Sequence, residues 1–252
     1  MRLVTFNILH GRSPQDDRVD VDRYADAVRS LGADVLALQE VDRNQPRSQK
    51  ADLTAVAAEA MGAVEHRFVA ALNGSPGATW IAATGEEQPD AAAYGIALLS
   101  KYPVTGWEVV RLAPVPTQVP MWWRGSRLPS LVRDEPRVAL AATVQAPGRT
   151  LTVVNTHLSF LRWWNGRQMR TLLRALDRSR STLLVGDLNM LPRRAHRMTG
   201  MRPLAGHATF PVQRPVEQID HVLTDADLRV EHSEARRLPI SDHRALVVDV
   251  AL

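Results

Sequence analysis

A chain of 252 residues suits one large domain or two small ones, and 45% hydrophobic with 23% charged residues is the balance of an ordinary globular protein. The formal charge is only +4, and because Lys50 and Lys101 are the only lysines it is carried almost wholly by arginine, which by itself does not imply nucleic acid. The lack of cysteine excludes disulfides, thiol chemistry and cysteine-built zinc sites, and with no leader pattern and no apolar run of spanning length the expected location is the cytoplasm, secretion or a peripheral membrane position being the alternatives.

The first strand-like run, residues 2–8, carries Leu3-Val4-Thr5-Phe6 into Asn7. A helix follows, with Val21, Tyr24, Ala25, Val28 and Leu31 at helical spacing, Asp20 as N-cap and Gly32 as stop. The run 34–39 delivers Gln39 and Glu40. Asp52 then opens a second helix through Leu53, Val56, Ala57 and Ala60, closed by Gly62. Strands are expected at 64–72, 95–100 and 104–112, with a Gly-, Pro- and acid-bearing loop at 73–93 and Tyr94 just ahead of the second of them. Residues 113–136 read as a proline-rich loop containing Trp122 and Trp123. Two more strands, 137–145 and 150–157, end at His157, and Trp163 and Trp164 follow closely.

Met169, Leu172, Leu173 and Leu176 mark the apolar stripe of a third helix. Its Arg167, Arg170, Arg174 and Arg178 read as a solvated face. The run 182–186 leads into Asp187-Leu188-Asn189, the run 218–224 carries Asp220, and after the run 228–235 Ser241-Asp242-His243 precedes a final strand at 244–251. Strands outnumber helices and occur in both adjacent and alternating order. The expected fold is α/β (α+β), a single domain over 1–252 with two packed mixed sheets and helices outside. No Gly-rich phosphate loop follows the first strand.

A polar group at the end of a buried strand is carried to the sheet edge, where a substrate can reach it. Six such ends would gather Asn7, Glu40, His157, Asp187, Asn189, Asp242 and His243 in one pocket, with Asp220 close by. That set suits a hard divalent cation and a phosphate ester. Mg²⁺ takes oxygen ligands, one or two of them carboxylates; Glu40 and Asp242 supply carboxylates and Asn7 an amide oxygen. Asp187 is the natural base for water, with Asn189 two residues on. His157 and His243 are donors for phosphate oxygens, and Asp220 can hold one imidazole in place. The remaining histidines, His10, His66, His196, His207 and His232, read as surface or structural residues, and alternation turns His221 away from the pocket.

These blocks, in this order through essentially the whole chain, resemble the endonuclease/exonuclease/phosphatase superfamily of DNase-like metal-dependent phosphoesterases. The resemblance implies a four-layered αββα sandwich. It implies that Asn7 and Glu40 bind the metal, Mg²⁺ or Mn²⁺, and that Asp187 and Asn189 are the water-activating aspartate and its partner. His157 resembles the phosphate-contacting histidine. Asp242 and His243 match the closing motif, Asp220 the aspartate that orients its histidine, and Tyr94 an active-site tyrosine of some branches.

Glu217-Gln218-Ile219-Asp220-His221 lacks the tryptophan-bearing stretch of abasic-site endonucleases and the cysteine-bearing stretch of inositol polyphosphate 5-phosphatases. What remains resembles the broad bacterial hydrolase branches. The expected reaction is hydrolysis of a phosphodiester, of a lipid or small molecule; a DNA endonuclease or exonuclease, a phosphomonoesterase and a catalytically inactive relative that binds a ligand or a partner are the alternatives. Trp122, Trp123, Trp163 and Trp164 are expected to wall the cleft and to offer contact to a membrane surface. No obligate protein partner is implied.

Overall fold

The computed structural model describes residues 1–76, 78–122, 128–177 and 180–252. In chain order the first half runs β1 (Arg2–Asn7), α1 (Val21–Leu31), β2 (Val35–Arg43), α2 (Leu53–Met61), β3 (Glu65–Gly74), β4 (Trp80–Ala82), β5 (Ala93–Ser100) and β6 (Val104–Leu112). Next come β7 (Val119–Met121), β8 (Ser130–Val132), β9 (Arg137–Ala146), β10 (Arg149–His157), α3 (Arg162–Ala175) and β11 (Thr182–Asp187). The chain ends with α4 (Pro192–Thr199), β12 (Arg202–Pro203), β13 (Asp220–Thr224), β14 (Arg229–Arg236) and β15 (Ala245–Ala251).

Two mixed sheets carry the architecture, one ordered β14-β15-β1-β2-β5-β3-β4 and the other β12-β13-β11-β10-β9-β6. Alternation along the strands decides the layers. Leu3, Val35 and Ala37 of the first sheet meet Leu140, Val153, Leu183 and Val185 of the second in a shared core. Val4, Phe6, Leu36 and Leu38 turn the other way, onto Tyr24, Val28 and Leu31 of α1 and Leu53 and Ala57 of α2. Ala139, Val154 and Leu184 do the same under Met169 and Leu172 of α3 and Ala195 of α4. Central strands buried on both faces read as continuous apolar runs, which is why β1, β2, β10 and β11 stand out in the sequence. The result is the four-layered αββα sandwich.

The first two helices are capped as their sequences demand. Asp20 accepts from the Arg23 N–H, Asp52 from the N–H groups of Thr54 and Ala55, and Gly32 and Gly62 close their helices in the left-handed region. The third helix begins seven residues ahead of the apolar stripe that marks it, and α4, with Pro192 in its first turn, falls where no helix was expected. The loops at 73–93 and 113–136 carry short strands: β4 extends the first sheet and β7 pairs with β8. Among the described residues no helix is long and apolar enough to cross a membrane.

Gly186, in the strand that carries Asp187, must be glycine. Gly186 has φ +133, and a Cβ there would lie 1.9 Å from the Thr156 carbonyl oxygen on β10. Gly186→Ala must push two central parallel strands apart, and an overpacked core with a forbidden φ costs ~3 kcal/mol or more. Urea unfolding is expected to show that loss as a lowered midpoint.

Candidate active site

The parallel pairs β1–β2 and β10–β11 bring the ends of β1, β10 and β11 and the middle of β2 to one rim. Asn7 lies opposite Gln39 and His157 opposite Asp187, while antiparallel β13 sets Asp220 opposite Asp187 from the other side. A buried amide clamp ties the two sheets beneath this rim. Gln39 Nε2 donates to Asn155 Oδ1 (2.7 Å), and Asn155 Nδ2 donates to the carbonyls of Leu38 and Ala97 (2.9 and 2.8 Å). The rim residues of opposite sheets are thereby held in one rigid frame.

Glu40 does not sit at a strand end. It is the extra residue of a bulge inside β2, where the pairing with β5 slips between Gln39 and Val41, and its φ is +57. The bulge aims its carboxylate at Asn7, whose Nδ2 donates to Glu40 Oε1 (3.0 Å) and Asp187 Oδ2 (3.1 Å). The amide oxygen of Asn7, expected as a metal ligand, accepts the Leu9 N–H at 3.1 Å. In this arrangement Asn7 is the link between two carboxylates. Burial raises the Glu40 pKa, opposed by the Asn7 hydrogen bond and the charges of His243 and Arg137.

Asp187 is buried at the end of β11. Burial and the negative charge of Asp220 raise its pKa to about 7, against the pull of His243 and hydrogen bonds from Asn7 and the Asn189 N–H. Its Oδ2 lies 3.5 Å from His157 Nε2 and 3.9 Å from His243 Nε2. Asn189 lines the same cleft, placed by a turn beyond the strand rather than by strand alternation. Its φ is +49, its N–H donates to Asp187 Oδ1 (3.0 Å) and its Nδ2 to the Leu158 carbonyl (2.9 Å).

His243 is pinned by the turn before β15. Ser241, at φ +66, donates its hydroxyl to the Asn7 carbonyl and accepts the His243 N–H. His243 Nδ1 bonds Asp220 Oδ2 at 2.9 Å, and Thr209 donates to the same oxygen at 2.5 Å. Burial disfavours the charged ring, but Asp220, Asp187 and Asp242 more than offset it and raise the His243 pKa to about 10. His157 is the opposite case. Burial, Arg137 and His243 push its pKa well below the ordinary value. The centre therefore holds one charged and one neutral imidazole on either side of Asp187. His221 points away, its Nε2 against the Met190 carbonyl.

A cleft of about 1340 Å³ opens over these groups. Several of its residues escape sequence reasoning or were read otherwise, three of them close to the centre. Arg137, buried at the start of β9, places Nη1 3.1 Å from His157 Nδ1, and its Nε has no partner among the described residues. Arg47 bonds Asp42 at 2.7 Å and stands 5.5 Å from the Tyr94 ring. His10, read as surface or structural, is buried in the cleft wall, where burial, Arg47 and Arg12 lower its pKa to about 3. Tyr94 lines the cleft as well, and burial with the Glu40 charge raises its pKa.

The tryptophan wall is corrected. Trp122, Trp163 and Trp164 are not cleft-lining residues; the aromatic rings there are Phe160, Tyr94 and Phe210, the last 4.9 Å from the His243 ring. Trp164 packs with Val115 and Leu161 and donates Nε1–H to the Ala113 carbonyl at 2.8 Å, so its ring serves the loop. Trp122 and Trp163 are 64% and 60% exposed. Trp123 lies outside the described residues. Asp242 is not a lining residue either, although its charge reaches both Glu40 and His243.

The oxygen-rich donor set fits a hard divalent cation. Asp187, Asp220 and His243 offer atoms within 4.8 Å of one another, a group compatible with a metal site. The hydrogen bond between His243 Nδ1 and Asp220 Oδ2 uses one atom of each residue and leaves His243 Nε2 and Asp220 Oδ1, the latter without a partner among the described residues. Glu40 Oε2 likewise takes no donor among the described residues.

The family model for endonuclease/exonuclease/phosphatase proteins matches residues 4–243. The chain belongs to the endonuclease/exonuclease/phosphatase family. Members of that family are generally hydrolases acting on phosphoesters, usually with a divalent metal. Solved structures of similar fold include an endonuclease/exonuclease/phosphatase from Beutenbergia cavernae DSM 12333, with 23% identity and TM-score 0.69 over 100% of this chain and 71% of that one. A mannosyl-6-phosphatase from Bacteroides thetaiotaomicron VPI-5482 is 14% identical with TM-score 0.65, and all of both chains is covered. TDP2 from Caenorhabditis elegans is 17% identical with TM-score 0.62 over 100% of this chain and 74% of that one. Among curated proteins none matches this chain significantly in sequence.

Proposed function

We propose that residues 1–252 form one catalytic domain that hydrolyses a phosphodiester with Mg²⁺ or Mn²⁺. The observation that carries this reading is the placement of Asp187 Oδ2 within 3.9 Å of Asn7, His157 and His243 together. Glu40, its Oε1 fixed by Asn7 and with the Asp242 charge in reach, would hold the cation, which when bound supplies charge neutralisation to the phosphate. Asp187 orients and deprotonates the attacking water. Its pKa of about 7 makes it a stronger base than an ordinary carboxylate while leaving it substantially ionised at neutral pH. His243, charged and fixed by Asp220, donates Nε2–H to a phosphate oxygen. Asn189 holds the Asp187 carboxylate through its backbone N–H.

The protonation of His157 decides its part. With Arg137 Nη1 donating to Nδ1, a neutral ring carries its proton on Nε2, which faces Asp187 and the phosphate position. Arg137 thus selects the tautomer in which His157 is a donor.

Glu40→Gln tests the metal assignment. Isothermal titration with Mn²⁺ is expected to show affinity reduced by about tenfold or more, with thermal stability held or raised because a buried charge is removed. Unchanged Mn²⁺ affinity in this variant would refute the assignment.

Exposed Trp122, Trp163 and Leu131 support a second reading, in which the ester lies at a lipid surface. Trp122→Ala/Trp163→Ala is expected to reduce cosedimentation with phosphatidylglycerol vesicles several-fold. Equal recovery of both proteins with the vesicles would remove this reading.

A further inference from the structure

One wall of the cleft consists of arginine. Arg162 and Arg170 from α3 and Arg193, Arg194 and Arg197 from α4 all line it, continuous with the centre at Asp187. We infer that this wall is a second anion subsite, which binds a phosphate group of the substrate other than the one undergoing hydrolysis. This rests on the phosphoesterase reading of the centre.

The charge here is uncompensated. Among the described residues none of the five arginines lies within 4.0 Å of a carboxylate, although arginines elsewhere, such as Arg2, Arg23, Arg47 and Arg236, are paired. The chain supplies no acid nearby in sequence, since no Asp or Glu occurs between Glu135 and Asp177 or between Asp187 and Glu217. A net charge of only +4 is thus distributed so that positive charge concentrates on this wall.

Like charges brought together cost stability. Arg193 and Arg197 are four apart on one helix face, a spacing at which like charges repel. Arg194 is held rather than free: it donates to the Arg162 carbonyl, and its Nη2 lies 2.8 Å from the position a Cβ on Gly166 would take. Its pKa is lowered by burial, then by Arg162 and Arg170. A bare glycine lets the guanidinium cross between α3 and α4. A solvated face has no need of such a crossing, and these side chains face a concavity.

The cleft is also far larger than a single phosphate needs. Guanidinium forks match phosphate oxygens in pairs, with charge-assisted hydrogen bonds. Phe160 and Met198 on the same wall give apolar surface between the arginines for the organic part of the substrate. The shared chemistry is a molecule with two phosphate groups; a nucleic acid end and a phosphorylated inositol head are two sources of it.

Calorimetric titration in Mg²⁺ buffer tests the subsite with two pairs of ligands. One pair is thymidine 5′-phosphate and thymidine 3′,5′-bisphosphate; the other is inositol 1-phosphate and inositol 1,4-bisphosphate. The bisphosphate of at least one pair is expected to bind about tenfold more tightly than its monophosphate, one charge-assisted contact's worth. In Arg193→Glu/Arg197→Glu that ratio is expected to fall to near one. It should persist in Arg67→Glu/Arg229→Glu, which changes the net charge equally at exposed positions away from the cleft. A gain confined to the thymidine pair identifies a nucleic acid end, and one confined to the inositol pair a lipid head. A ratio near one for both pairs in the unaltered protein, or an equal loss in both double variants, would overturn the subsite. Bis(p-nitrophenyl) phosphate has a single phosphate, so its hydrolysis reports on the centre independently: failure there with a retained ratio refutes the hydrolase reading alone.

Discussion

Asp187→Asn is expected to lower kcat for a phosphodiester by about 10³-fold, the range a positioned base supplies, while the protein becomes more stable above neutral pH. The two effects have one cause. The carboxylate is buried beside Asp220, and its pKa rises from 3.8 to about 7. Between those values the folded state holds a proton that the unfolded chain has released, so stability falls as pH rises through this window and stays reduced above it. An amide of the same shape removes that cost and cannot take a proton from water. Thermal melts at pH 6 and pH 8 beside the kinetics separate this from misfolding. A variant that is inactive and also less stable at pH 8 would contradict the assignment of Asp187 as a strained, functional carboxylate.

Asp220→Asn is expected to cost roughly 10²-fold at neutral pH and to move the alkaline limb of the rate profile downward. In the native centre Asp220 is the leading charge that holds the His243 pKa at about 10, so the ring stays a charged donor throughout the neutral range. With the carboxylate replaced, burial works unopposed by its main partner and the ring loses its proton at lower pH. The donor form exists below the pKa, so activity must decline earlier as pH rises. A rate profile with an unmoved alkaline limb would mean that protonated His243 does not contribute to turnover.

Much of this was legible in the sequence because the polar site residues interrupt or end apolar runs. Asn7, His157 and Asp187 close strands buried on both faces, and such runs are conspicuous. The caps Asp20 and Asp52 and the closing residues Gly32 and Gly62 set the first two helices within a residue. The bulge at Glu40 was not legible, since a glutamate at φ +57 carries no compositional mark. Nor was Arg137, where one arginine among many differs only in being buried opposite a histidine. Arg167, Arg170 and Arg174 are exposed, as a solvated face requires, but that Arg170 also lines the cleft was not legible, because it depends on α4, short and rich in arginine rather than apolar residues, packing beside α3. Paired tryptophans suggested a cleft wall, but a side chain that can both pack and donate, as Trp164 does to Ala113, satisfies a loop equally well.

The measurement that bears most directly on the central claim is hydrolysis of bis(p-nitrophenyl) phosphate against p-nitrophenyl phosphate, with Mg²⁺ or Mn²⁺ and with chelator, for the native chain and Asp187→Asn. Metal-dependent cleavage of the diester, abolished by chelator and by the substitution, is the predicted result. Turnover that survives chelator, or that Asp187→Asn retains, would contradict a metal-assisted attack of water activated by Asp187.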